Sequence, residues 1–114
     1  MRGMKIDKQK IIANFPLTVS NIIEKIESRE SIYRIIIYGS RVHNDFKAKS
    51  DFDIAVDFWE PSHFEFLRLK DEVENDYKSL YFISIVDYNS SPNKLKDIIN
   101  KKGIIIYESK KNTK

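Results

Sequence analysis

An apolar run that ends at a Gly-Ser pair constrains the fold of this 114-residue chain more than any other feature. Residues 32–38 read Ile-Tyr-Arg-Ile-Ile-Ile-Tyr, and this β-branched and aromatic composition predicts a strand that ends at Gly39. Because nearly every position is apolar, we expect the strand to be covered on both of its faces. A covered strand of this kind belongs in the middle of a sheet with helices packed against it.

Residues 51–58 form the second predicted strand, and their apolar and polar side chains alternate. Successive side chains of a strand point to opposite faces, so two different faces are expected. The apolar face carries Phe52, Ile54, Val56 and Phe58, and the opposite face carries Asp51, Asp53, Ala55 and Asp57. The pattern predicts a strand with one face in the core and several acids on the other.

The remaining periodic segments predict three helices and two more strands. Helices are expected over residues 16–30, from Ser62 to about residue 75, and from Pro92 to Gly103; strands are expected over 80–86 and 104–107. Ser62 and Glu65 have the spacing of a capping box. The predicted inward positions are Val19, Ile22, Ile23, Ile26, Phe66, Leu69, Val73, Tyr77, Leu95, Ile98 and Ile99. The order α-β-β-α-β-α-β predicts an α+β fold, a small mixed sheet packed with helices.

Composition limits the classes of function. Cysteine is absent, which excludes a disulfide scaffold, a thiolate zinc site and a thiol nucleophile. The net charge is +3, and the three lysines of residues 109–114 account for the whole excess. A neutral body with a basic tail argues against direct nucleic-acid binding. No segment has the length of a membrane span, and we expect a cytoplasmic protein.

The chain has the size of one domain. We expect an N-terminal segment over residues 1–15, the domain over 16–108, and a flexible basic tail over 109–114.

Asp51 and Asp53 are the first candidate site residues. At positions i and i+2 of a strand they share a face, with Cα atoms about 6.6 Å apart. Two carboxylates about 4–5 Å apart repel by roughly 3–4 kcal/mol at an effective dielectric constant near 20, and a bound cation removes that repulsion. Carboxylate oxygens favour Mg²⁺, with Mn²⁺ as the alternative, and Mg²⁺ usually keeps positions open for substrate phosphates.

Gly39, Ser40 and Arg41 are the second group of candidates. A glycine at the end of a buried strand allows a sharp turn and the close approach of a phosphate. The Ser40 hydroxyl and amide can donate hydrogen bonds to phosphate oxygens, and the Arg41 guanidinium can pair with them. These residues are therefore predicted to bind a nucleotide.

Taken together, Gly39-Ser40, ten intervening residues and Asp51-x-Asp53 resemble the signature of the minimal nucleotidyltransferases (MNT), small members of the DNA polymerase β-like nucleotidyltransferase superfamily. The resemblance covers about residues 16–108. It implies the nucleotidyltransferase fold and the transfer of AMP from ATP to a hydroxyl group. It also implies that Asp51 and Asp53 hold the metal ions and that Gly39 and Ser40 hold the triphosphate. Many such proteins are antitoxins that adenylylate a tyrosine of a helical HEPN toxin, so a HEPN partner is expected, in a homo- or hetero-oligomer.

The chain departs from the family pattern at two places. Asn44 replaces a common glycine, which is a mild change because asparagine tolerates a left-handed backbone. Ser84 stands where the third carboxylate is usual, in the third strand. Asp87, at the end of that strand, matches an acid that many family members carry, and it is the third predicted catalytic residue. Strand alternation, however, places Ser84 and Asp87 on opposite faces, and a turn-forming role for Asp87 is the alternative.

Three functions follow from this pattern. The first is an Mg²⁺-dependent nucleotidyltransferase that modifies a HEPN toxin. The second is a weak or inactive protein of the same fold that neutralises its partner by binding, which Ser84 favours. The third is a small-molecule nucleotidyltransferase with a separate substrate-binding subunit.

Overall fold

The computed structural model describes residues 15–39, 52–76 and 83–109. In chain order its elements are α1 (Leu17–Glu27), β1 (Ile32–Tyr38), β2 (Phe52–Phe58), α2 (His63–Asp71), β3 (Ile83–Asp87), α3 (Asn93–Lys102) and β4 (Ile104–Glu108). A π-helical turn, Glu72–Asp76, extends α2, and a 3₁₀ turn, Tyr88–Ser90, follows β3. This is the predicted α+β fold with the predicted element order.

The four strands form one mixed sheet in the order β3-β2-β1-β4. β1 pairs antiparallel with both β2 and β4, whereas β2 and β3 are parallel. The buried, nearly all-apolar strand β1 is therefore central, as its composition predicts, and β4 lies at an edge of the described sheet. The C-terminal end of β1 and the N-terminal ends of β2 and β3 meet at the same end of the sheet.

One face of the sheet carries the larger core. The apolar side chains of β2 pack there against α1 and α2, as their alternation predicts. All four predicted inward residues of α1 are buried: Val19, Ile22, Ile23 and Ile26. In α2 and the turn after it, Phe66, Leu69 and Val73 are buried, while Tyr77 lies outside the described residues.

The opposite face carries a smaller core beneath α3, formed by Ile36, Tyr38, Ala55 and Ile99. We call this the α3 face. The predicted burial of Ile98 is wrong, because this side chain is 49% exposed. Successive residues of a helix are separated by about 100° around its axis, so Ile98 and Asn100 lie on opposite sides of the buried Ile99. Asn100 accepts a hydrogen bond from the Tyr88 hydroxyl, and Ile98 consequently lies on the side away from Tyr88.

Local signals mark the start of α2 and the end of α3. The Ser62 hydroxyl accepts a hydrogen bond from the Glu65 amide and caps α2. In a complete capping box the Glu65 carboxylate would accept a hydrogen bond from the Ser62 amide. Here the Glu65 carboxylate accepts a hydrogen bond from the Ser31 hydroxyl instead. α3 ends at Gly103, where the chain passes directly into β4. None of the helices in residues 15–39, 52–76 and 83–109 has the length and apolar character required to cross a membrane.

Candidate nucleotide and metal site

Gly39 ends β1 with a backbone that favours glycine. Its φ is 89°, in the left-handed region that other L-residues rarely adopt. A Cβ built at this position would overlap the Asp53 Oδ2 atom and would lie 3.2 Å from the Asp53 Cγ atom. β1 therefore ends next to Gly39, as predicted, and the Gly39 backbone lies directly against one of the two predicted carboxylates.

The register of the sheet explains this contact. Tyr38 of β1 pairs with Asp53 of β2, and Asp53 pairs in turn with Ser84 of β3. Directly paired residues of adjacent strands project from the same face. The side chains of Tyr38, Asp53 and Ser84 therefore form a row across three strands, on the α3 face and beside Gly39. We call these three residues the Asp53 row.

Tyr38 also lies at this site, although it is not among the site residues that the sequence predicts. The side chain is buried, and burial together with the neighbouring charge of Asp53 raises the pKa of its hydroxyl. Period-two alternation along β1 could have placed Tyr38 on the same face as Ile36, but only the register with β2 brings it to Asp53. The sequence does not specify that register, because residues 40–51 join the two strands without a recognisable tight turn.

Asp87 lies outside the Asp53 row, on the other face of the sheet. It pairs with Val56, so its side chain projects from the face opposite to Asp53 and Ser84, as strand alternation predicts. Its carboxylate is buried and accepts a hydrogen bond from the Asn89 amide at 3.2 Å, while its carbonyl accepts one from the Ser91 hydroxyl at 2.8 Å. These contacts shape the turn that leaves β3. The structure does not bring the carboxylate of Asp87, the third predicted catalytic residue, to Asp53.

The other predicted site residues, Ser40, Arg41 and Asp51, and the variant position Asn44 lie outside the described residues. Within residues 15–39, 52–76 and 83–109, no three His, Cys, Asp or Glu side chains gather into a cation site.

The described part nevertheless suits a hard cation with a phosphate ligand. Asp53 supplies carboxylate oxygens, Ser84 supplies a hydroxyl, and Gly39 leaves the space beside Asp53 free of a Cβ. Asp53 would hold Mg²⁺ there, with Asp51 as the second predicted ligand.

A second polar cluster occupies the other end of the same face. Asp57 is buried, and its carboxylate accepts hydrogen bonds from the Arg34 Nε atom at 2.8 Å and the Asn89 Nδ2 atom at 2.7 Å. Burial lowers the pKa of the Arg34 guanidinium, but the hydrogen bond and charge of Asp57 outweigh that effect and raise it. The guanidinium also lies 5.0 Å from the ring centre of Tyr88. Arg34 belongs to β1, Asp57 to β2 and Asn89 to the turn that precedes α3. The two hydrogen bonds to Asp57 therefore connect these three elements.

Comparison with known proteins agrees with this geometry. The family profile described as "Polymerase beta, Nucleotidyltransferase" matches residues 20–112, which include the strand-end glycine, both predicted carboxylates and the whole described sheet. The chain belongs to this nucleotidyltransferase family. No curated protein matches the sequence.

Solved structures share the nucleotidyltransferase fold at low sequence identity. A chain of a toxin–antitoxin structure with AMP-PNP has a TM-score of 0.58 and 18% identity, covering 82% of this chain and 73% of that chain. A chain of the MntA-HepT toxin–antitoxin has a TM-score of 0.54 and 20% identity, covering 82% and 72%. A chain from the complex of the tri-AMPylated Shewanella oneidensis HEPN toxin with MNT antitoxin has a TM-score of 0.54 and 20% identity, covering 82% and 71%. At these identities the likeness establishes the fold.

Proposed function

We propose that this protein is an MNT-type antitoxin that transfers AMP from ATP to a hydroxyl group, a tyrosine of a HEPN-type partner being the acceptor. The observation that carries the proposal is the contact between the Gly39 backbone and the Asp53 carboxylate. One residue of each half of the predicted signature takes part in this contact, which supports the proposal. The structures of similar fold that contain a HEPN toxin, one of them tri-AMPylated, support the choice of partner.

In the proposed reaction, the acceptor hydroxyl loses its proton to solvent and its oxygen forms a bond to the α-phosphorus of ATP. The bond from that phosphorus to the oxygen bridging toward the β-phosphorus breaks, and pyrophosphate leaves. Mg²⁺ or Mn²⁺, when bound, supplies charge neutralisation for the phosphates. Cytoplasmic ATP would be the nucleotide source.

Five of the predicted site residues have a part in this proposal. Asp53 and Asp51 hold the cation, and Gly39, which carries no side chain, allows the triphosphate to approach the backbone. Ser40 and Arg41 donate to phosphate oxygens. Asp87 has no part in the reaction as proposed, because its carboxylate caps a turn on the other face.

The test is adenylylation of a co-expressed HEPN-type partner, followed by intact-mass spectrometry. Wild-type protein should increase the partner's mass by one or more AMP units, and Asp53→Ala should abolish the increase. Asp97→Ala is the matched control, since it removes an exposed aspartate from α3. Equal labelling by the wild type and Asp53→Ala would refute catalysis at this site.

A second function is favoured by Ser84. A neutral side chain beside Asp53 is consistent with an antitoxin that neutralises its partner by binding alone. The same variants separate the two functions. If Asp53→Ala still neutralises the partner and the partner's mass is unchanged throughout, neutralisation acts through binding. If Asp53→Ala binds the partner but no longer neutralises it, AMP transfer is required.

A further inference from the structure

Helix α3 concentrates positive charge on a chain that is otherwise slightly acidic. Its ten residues include four lysines and one aspartate, a net charge of +3. The whole chain also has a net charge of +3, and the three lysines of residues 109–114 supply +3 by themselves, so the rest of the chain has a net charge of −3. The lysines of α3 are therefore a local feature of this helix.

Three of these lysines surround a half-exposed isoleucine on one side of α3. Lys94 and Lys102 lie four residues before and after Ile98, and Lys101 lies three residues after it, so the four side chains share one side of the helix. Ile98 is 49% exposed, and all three lysines are exposed. None of the three lysines forms an ion pair within residues 15–39, 52–76 and 83–109. We call these four residues the α3 stripe.

Helix stability alone does not account for the α3 stripe. Positive charge is favourable in the last turn of a helix, where Lys101 and Lys102 lie, but unfavourable in the first turn, where Lys94 lies. Ile98 leaves half of its surface in water and so gains only part of the free energy that burial would provide. A partner with carboxylates around an apolar side chain would complement both features.

The C-terminal end of the α3 stripe lies at the same end of the sheet as the Asp53 row. α3 begins beyond the C-terminal end of β3 and ends at Gly103. A Cβ built at Gly103 would lie 2.6 Å from the Ile36 Cγ2 atom and 3.4 Å from the Ile37 carbonyl oxygen. Ile37 precedes Gly39 by two residues, or about 7 Å of strand. A protein held on the stripe would therefore lie next to the candidate site.

We infer that the α3 stripe docks an acidic segment of the HEPN-type partner. The inference rests on the proposed function, because it names the surface that brings the partner to the site. Carboxylates of the segment pair with the lysines, and an apolar side chain of the segment covers Ile98. A second copy of this chain would place lysine against lysine, and a nucleic-acid backbone would offer Ile98 no apolar contact.

The first experiment measures the Kd between the full chain and a HEPN-type partner by biolayer interferometry. Lys102→Glu should weaken binding by about tenfold, because it replaces an attraction with a repulsion. Lys96→Glu is the matched control: it makes the same charge change on α3, but Lys96 lies on the other side of the helix, with its Nζ atom 5.5 Å from the centre of the Tyr88 ring. It should leave the Kd at the wild-type value.

A second pair of variants tests the apolar contact. Ile98→Ser should weaken binding by about fivefold, because it removes the apolar surface that the partner covers. Phe64→Ser is the matched control, since Phe64 is 70% exposed on α2, which packs on the other face of the sheet. It should leave the Kd unchanged. Circular dichroism verifies that each variant is folded.

Photocrosslinking identifies what lies on the stripe. Ile98→p-benzoylphenylalanine, irradiated in the complex, should attach to a partner peptide of net negative charge, whereas Phe64→p-benzoylphenylalanine should not attach to that peptide. Attachment to a second copy of this chain would overturn the inference. Binding of a single-stranded RNA oligonucleotide that Lys102→Glu weakens, with the Kd of the partner unchanged, would also overturn it.

AMP transfer, measured in the same samples, separates this inference from the proposed function. If the wild type transfers AMP and the Kd is the same for Lys102→Glu, Lys96→Glu and wild type, the docking surface is refuted and the proposed function stands. Equal weakening by both lysine variants refutes it in the same way. If binding depends on the stripe but the wild type transfers no AMP, the docking surface stands and AMP transfer is refuted. Failure of the wild type to bind the partner would overturn both.

Discussion

The backbone of Gly39 lies so close to the carboxylate of Asp53 that no side chain fits between them. Gly39→Ala should therefore impair the protein in two ways. A left-handed alanine costs about 1–2 kcal/mol of folding free energy. The added methyl group also displaces Asp53, and a displacement of about 1 Å can reduce a reaction rate by about 10²-fold. We expect a lower melting temperature and about a 10²-fold loss of AMP transfer, measured by calorimetry and by mass spectrometry of the partner.

Gly103→Ala separates these two effects. A Cβ at Gly103 would lie 2.5 Å from the Ile99 carbonyl oxygen and 2.6 Å from the Ile36 Cγ2 atom, so this variant should also destabilise the protein. Its φ is an ordinary −80°, however, and the close atoms do not belong to Asp53. The folded fraction of Gly103→Ala should keep its activity. If Gly39→Ala loses no more activity than Gly103→Ala, the loss reflects stability alone.

Asp57 should contribute to stability through Arg34. Asp57→Ala leaves the half-buried guanidinium of Arg34 without its acid, and breaking a partly buried pair on one side costs about 2–3 kcal/mol. Urea denaturation measures this loss. The double variant Arg34→Met/Asp57→Leu removes both charges and should recover much of the lost stability. A loss after Asp57→Ala no greater than that of the exposed Asp97→Ala would contradict the prediction.

The composition of β1 and the period-two pattern of β2 explain why these two strands could be predicted closely. β1 has the expected bounds, and the acids and apolar residues of β2 fall on the expected faces, because alternation depends only on local geometry. The contact of Gly39 with Asp53 required the family resemblance as well. Strand register is set by the connection and by packing across the sheet, and neither can be derived from one strand's composition.

Ile98 shows that helical periodicity alone does not predict which apolar residues are buried. The spacing of Leu95, Ile98 and Ile99 indicates an apolar stripe, but it does not specify how much of that stripe the sheet covers. β4 lies at the edge of the described sheet and its Ile105 is itself 41% exposed, so the sheet buries Ile99 and leaves Ile98 half in solvent. Similarly, the sequence indicates the cap at Ser62, but it could not indicate that Glu65 would contact Ser31, which precedes β1.

As the cap of α2, Ser62 should contribute about 1 kcal/mol to the free energy of unfolding. Its hydroxyl accepts a hydrogen bond from the Glu65 amide at 3.1 Å, and Ser62→Ala leaves that amide without an acceptor. Chemical denaturation should show the loss, whereas Ser62→Gly should cost only a few tenths of a kcal/mol. Ser90→Ala at an exposed serine is the control. Equal stability of Ser62→Ala and wild type would mean that solvent satisfies the amide equally well.

Tyr38 should make the protein sensitive to alkaline pH. Burial, and secondarily the charge of Asp53, raises the pKa of its hydroxyl above the ordinary value of 10.0. The unfolded chain therefore loses this proton at a lower pH than the folded chain does. The stability contribution is complete below about pH 10 and is lost as the pH rises toward the folded-state pKa. Across that window one proton changes the free energy of unfolding by at most about 1.4 kcal/mol per pH unit.

Tyr38→Phe should make the free energy of unfolding fall less steeply as the pH rises above 10. Urea denaturation between pH 8 and the alkaline limit of folding measures this slope. Tyr33→Phe is the comparison. Tyr33 lies at the surface and its pKa is raised chiefly by the hydrogen bond to Glu108, so its removal should alter the slope less. An unchanged slope in Tyr38→Phe would mean that the phenol reaches solvent as easily in the folded protein as in the unfolded chain. It would thus contradict the burial of this hydroxyl beside Asp53.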